Sequence, residues 1–136
     1  MEILQTIHGH TRWLVLLAVV VPALYMLYGA VAKRAYNQLA YRIMLIFSSV
    51  IGLQWVLGLL VFLLVNFNMA AWYRWEHTIV NTIALATAHG HIAMKKSIHA
   101  ETPQPKLYWR ALAIIGVTML IIFIGVFRLP GNGWSR

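Results

Sequence analysis

The chain has 136 residues, the size of one domain. Apolar types supply 61% of it and charged types only 10%, which excludes a soluble domain, because a soluble chain of this length must keep a large wetted exterior. There is no cysteine, which rules out disulfides, thiolate metal sites, iron–sulfur clusters and covalently attached haem. The net charge of +8 comes from Lys and Arg lying between apolar runs, so it argues against a nucleic-acid-binding face.

The residues before His8 carry Glu2, no basic residue and no apolar core, so no cleavable signal peptide is expected and the first apolar run reads as a permanent span. That run, Trp13 to Ala32, is long enough to cross a hydrocarbon core of ~30 Å. Pro22 lies inside it and predicts a kink, which membrane helices tolerate when neighbours satisfy the freed carbonyl. The second run, Ile43 to Val65, is the most apolar; Gly52 and Gly58 allow a neighbouring helix to come close, and Gln54 reads as interhelical glue, with quinone contact as its alternative. The third, Thr78 to Met94, is short and polar, with Asn81, Thr82, Thr87, His89 and His91. Extended back through His77 and Trp75 it makes an adequate span. The fourth, Ala111 to Phe127, is again apolar and carries Gly116 and Gly125.

Trp13, Trp72, Tyr73, Trp75, Tyr108 and Trp109 fall near the ends of these runs, where aromatic belts sit. The expected architecture is an all-α membrane protein, a single domain over 1–136. Its four transmembrane helices, at about 8–32, 41–65, 75–95 and 107–128, form an up-down bundle with short loops. Lys33, Arg34, Arg42, Lys95, Lys96, Lys106 and Arg110 fall on one side; Arg12, Arg74, Arg128 and Arg136 fall on the other. The richer side should face the cytoplasm, leaving both termini outside it in a multi-pass protein of the inner (cytoplasmic) membrane.

Six His against three acids is an unusual balance, and five of the six lie at or inside helix ends: His8, His10, His77, His89 and His91. Ionisable groups at membrane depth are costly and usually face the bundle interior, where they mark function. Imidazole is an axial ligand of b-type haem, which is held without cysteine. In the expected topology helices one and three start on the same side, so His8 or His10 stands level with His77. Helices one and three can face each other across the bundle and offer one imidazole to each face of a single haem iron. Arg12 and Arg74 lie close by in sequence and suit the haem propionates. On the third helix, His77 and His91 are fourteen residues apart, a rotation of about 1400°, which sets them on nearly one face. His8 and His10 are about 200° apart on a helix, so only one of them can face the bundle centre.

These positions resemble those of the small four-helix membrane cytochromes b, the superfamily holding superoxide-oxidising and hydrogenase-associated cytochromes. In its dihaem members, histidines thirteen or fourteen residues apart on one helix serve two stacked haems, and His77 and His91 are similar. His8 with Arg12-Trp13, then Glu76-His77 and His89, is also similar to short bacterial membrane proteins of this kind. The resemblance covers all four runs and implies a b-type haem protein of electron transfer. Such a protein exchanges electrons with quinol or a redox protein partner and is a carrier or subunit more than a stand-alone enzyme. The chain departs from the dihaem pattern at the inner end, where no other helix offers a His: Pro22 and Leu24 stand fourteen residues beyond His8 and His10. Met44 is the thioether candidate there, opposite His91 or His89. One haem b at His8 and His77 is expected, with a second at His91 left open.

Two further readings stand beside this one. A small, basic chain without soluble domains also suits a non-catalytic accessory subunit of a larger respiratory or photosynthetic membrane complex, its His residues binding pigment, lipid or nothing. His-Gly-His occurs twice, at 8–10 and 89–91, and imidazole suits Cu(II), which raises copper handling; the scattered Met residues argue against it. His99, among loop residues, reads as solvated. No paired carboxylates and no phosphate-binding glycine loop are present, which leaves no hydrolase or transferase constellation.

Overall fold

The computed structural model describes residues 2–65, 67, 69–98 and 102–131. His99 and Arg136 lie outside them. The regular structure of these residues is all helical: α1 (Glu2–Val31), α2 (Gln38–Leu64), α3 (Trp72–Ala88), a 3₁₀ segment (His89–Ser97) and α4 (Pro105–Phe127). Helices α1, α2 and α4 are long and apolar enough to cross a membrane. Their outward faces carry exposed Leu, Val, Ile and Phe along their length, a surface that lipid matches and water does not.

Local chemistry explains the element ends. Glu2 sits in the first turn of α1, where a negative charge complements the helix dipole, and α1 begins about six residues before the run of apolar residues suggests. It continues as one helix through the buried Pro22. The Asn37 side chain caps α2 by accepting from the Ala40 N–H at 2.9 Å, and Pro105 opens α4 at a position where its missing N–H costs nothing. The third helix differs most from expectation. The α-helix stops at Ala88 after 17 residues, and the chain tightens into 3₁₀ through His89-Gly90-His91. Gly90 is a poor helix former, and the His89 ring Nδ1 lies 2.9 Å from the Leu85 carbonyl, adding a side-chain bond where the backbone ladder ends.

The helices pack in a ring, α1 against α2 and α4, and α3 against α2 and α4, so that α1 and α3 occupy opposite corners. One end of this ring is closely packed. Met26, Tyr36, Ala40, Met44, Phe47, Ala88, His91, Tyr108 and Ala111 are all wholly or almost wholly buried there. The Tyr108 ring lies so close to Gly29 that a Cβ on that glycine would collide with its Cε1. Its hydroxyl donates to the Ala35 carbonyl at 3.0 Å, and its ring meets Tyr36 edge-on at 5.3 Å. Gln104 completes the closure: its N–H donates to the Arg34 carbonyl at 3.1 Å, and its Oε1 accepts from the Tyr36 N–H at 3.2 Å. Burial pushes the Tyr36 phenol up from its ordinary value, with Tyr108 and Tyr41 adding to the effect.

Gly29→Val should therefore destabilise the detergent-solubilised protein by about 1–3 kcal/mol, the usual cost of overpacking. Gly116→Ala, where a Cβ meets nothing within 4 Å, should not. Thermal unfolding of both variants checks this; an unchanged midpoint for Gly29→Val would mean that the notch holding Tyr108 does not lock this end.

Candidate functional site

The opposite end of the ring is hollow. A cavity of about 440 Å³ lies among all four helices, within the size range of small-molecule and cofactor pockets. Each helix contributes one stripe at helical spacing. From α1 come His8, Arg12, Val15 and Leu16; from α2, Ile51, Gln54, Trp55, Gly58 and Phe62; from α3, Tyr73, Arg74, His77 and Asn81; from α4, Met119, Ile122, Phe123 and Val126. Such inward-facing stripes are how helix bundles build cofactor sites.

His8 and His77 thus reach one cavity from opposite corners of the ring and lie within electrostatic reach of each other. Each ring rests against a glycine-bearing stretch of a neighbouring helix. A Cβ on Gly58 would approach His8 Cε1 to 2.9 Å, so only glycine leaves that ring its present place. The His77 Nδ1 lies 3.0 Å from the Gly125 carbonyl. A carbonyl only accepts, so Nδ1 carries the proton and Nε2 keeps its lone pair. Histidines that ligate metals usually have their second nitrogen anchored in this way. Asn81 fixes the start of that turn, donating to the His77 carbonyl at 2.7 Å.

His8 is held differently. The Gln54 amide nitrogen donates to the His8 carbonyl at 3.1 Å and lies 3.3 Å from the ring Nδ1. The Thr11 hydroxyl bonds both the His8 carbonyl and Gln54 Oε1.

Arg12 and Arg74 also line the cavity, each with its guanidinium 5.5 Å from the ring of its sequence neighbour, Trp13 or Tyr73. No carboxylate is among the described lining residues. Glu76, adjacent to His77 in sequence and two residues from Arg74, pairs with Arg128 at 2.8 Å. The cavity therefore combines a cationic lining with apolar walls, the chemistry of a site for an amphiphilic anion.

The remaining histidines lie elsewhere. His10 is exposed, its Nδ1 2.8 Å from the Thr6 carbonyl, on the far side of α1 from His8. His89 is exposed. His91 is wholly buried in the packed end, its Nδ1 2.9 Å from the Ala88 carbonyl, its ring 5.6 Å from that of Tyr41, and its Nε2 without a hydrogen-bond partner. By ideal helix rises it stands about 22 Å along the axis from His77, too far to share one small ligand. Met44 is wholly buried in the same packed end. Both His-Gly-His motifs divide their rings between interior and surface. No group of three or more His, Asp or Glu side chains among the described residues is arranged to hold a bare metal ion.

Sequence reasoning missed the direct hold of Gln54 on His8, the roles of Thr11 and of the Gly125 carbonyl, and the seat at Gly58. The signal for Gln54 and Gly58 was present: a lone amide in the second apolar run, Ile43 to Val65, with a glycine one turn further on the same face. Compared with family models, with curated proteins and with solved structures, the chain matches none.

Proposed function

We propose that this protein crosses the membrane four times and holds one b-type haem between His8 and His77, passing electrons between quinol or a redox protein and a second partner. The observation that carries the reading is the meeting of two imidazoles, from helices at opposite corners, in one cavity whose described lining includes two arginines and no acid. The residues fit the group. His77 has its Nδ1 on a backbone carbonyl and the lone pair on its Nε2, 3.4 Å from the Asn81 amide nitrogen, Arg12 and Arg74 suit two propionates, and Val15, Ile51, Phe62 and Ile122 offer apolar walls to a flat ring. Bound there, a haem b supplies a one-electron couple.

The chain's own residues account for the rest. The apolar walls exclude water, and the guanidinium charges favour an anionic ligand over a neutral one. The fourth crossing is supported by the 3₁₀ segment: α3 and its continuation to Met94 reach about 37 Å, more than the ~30 Å hydrocarbon core. The Lys and Arg excess around 33–42 and 95–110 supports an orientation with both termini outside the cytoplasm of an inner-membrane protein. The packed surroundings of His91 and Met44 favour one haem over two.

The purified protein should show a low-spin b-type reduced-minus-oxidised spectrum and a pyridine haemochrome count near one per chain. His8→Ala and His77→Ala should each lose or alter that spectrum at normal membrane expression, while His10→Ala, His89→Ala and Met44→Leu should keep it. A count near two, lost on His91→Ala, would restore the inner haem. A wild-type protein without haem would transfer the site to the accessory-subunit reading. For topology, a reporter active only outside the cytoplasm should work when fused after Arg136 and fail when fused near Arg34; the reverse pattern overturns the orientation.

A further inference from the structure

We infer that Gln54 is the positioning residue for His8, its side-chain amide deciding which ring nitrogen carries the proton and which offers a lone pair. The inference rests on the haem reading for its consequence, though not for its geometry.

A half-buried amide in an apolar helix is costly unless bonded. The described bonds of Gln54 all go to one turn of α1. Its nitrogen serves the His8 carbonyl and approaches His8 Nδ1, and its oxygen accepts from Thr11. Interhelical adhesion alone needs only the carbonyl bond. The ring contact is additional, and Gly58, one turn along α2, closes the other side of the ring, a Cβ there standing 2.9 Å from Cε1 and 3.6 Å from both nitrogens. His8 is therefore held between two residues on one stripe of α2.

The amide can serve two ring states. With its N–H toward Nδ1, that nitrogen accepts and the proton sits on Nε2. Turned over about its terminal bond, the amide offers its oxygen to an Nδ1–H and its N–H to the Thr11 oxygen, and gives up its own bond to the His8 carbonyl, beside which its oxygen then lies. The Thr11 hydroxyl then donates to the His8 carbonyl, 3.0 Å away. Only the second arrangement frees Nε2 to ligate, as second-shell partners of metal-bound histidine do. His77 has no such choice, because the Gly125 carbonyl can only accept. The two imidazoles are thus unlike: His77 is preset, and His8 becomes competent when the Gln54 amide turns.

Gln54→Glu and Gln54→Leu separate this from a structural role. A carboxylate at 54 only accepts, so it fixes the proton on Nδ1 and enriches the imidazole. Gln54→Glu should therefore retain haem and shift the midpoint potential downward. Gln54→Leu should weaken haem binding roughly 10–100-fold, the usual effect of losing such a partner. In the haem-free detergent-solubilised protein, nitrogen-15 resonances of the histidine rings should report His8 protonated on Nε2 in wild type and on Nδ1 in Gln54→Glu. Unchanged potential and affinity in both variants would overturn the inference while leaving the haem reading intact. If wild type binds no haem, the haem reading fails, and the ring tautomers alone decide the inference: a His8 tautomer indifferent to residue 54 overturns it.

Discussion

The seat of Tyr108 against Gly29 is the contact on which the rest of the arrangement depends. It draws α1 and α4 together at one end until ring meets backbone, while the bonds from Tyr108 and Gln104 fasten residues 34–36 beneath. With that end closed, the side chains that fill it are shut off from solvent. The helices need not close at the other end, and four inward stripes are left facing a common space. One end is closely packed and the other leaves a cavity among the helices.

The hollow end gathers several polar side chains from all but the fourth helix. Two imidazoles, two guanidiniums and two amides line one cavity, and the nearest acid in sequence is engaged with Arg128. Buried polar groups persist when their hydrogen bonds are met, and His8, His77, Gln54 and Asn81 each meet theirs across or along helices. Two guanidiniums and no carboxylate stand among the described lining residues, and such a lining favours an anionic ligand over a cationic one.

Much of the architecture was legible in the sequence because apolar run length is a direct physical signal. Three runs correspond to helices that meet the length and hydropathy needed to cross a membrane. The third was read as one continuous helix because its polar face keeps helical period, yet Gly90 and the His89 ring end the α-helix early, a local competition that run length does not register. At the site, the common level of His8 and His77 followed from topology, and the ~200° between His8 and His10 foretold that one would face away. What was not legible was contact between distant segments: Gln54 reaching His8, Glu76 pairing with Arg128, and the Gly125 carbonyl meeting His77. Such pairings depend on how two helices are rotated against each other, which a single sequence does not state.

The ring order also divides the cavity by hairpin. The α1–α2 hairpin brings His8, Arg12, Gln54 and Gly58; the α3–α4 hairpin brings His77, Arg74, Asn81 and Gly125. Neither hairpin owns a complete site, and each holds one imidazole already braced by its own second helix. Biogenesis inherits an order from this: the hairpins emerge and insert in turn, and a ligand reaching both rings can load only after the second has docked. A ligand held by both rings would staple the two halves of the chain together, and its occupancy would then report that assembly had finished.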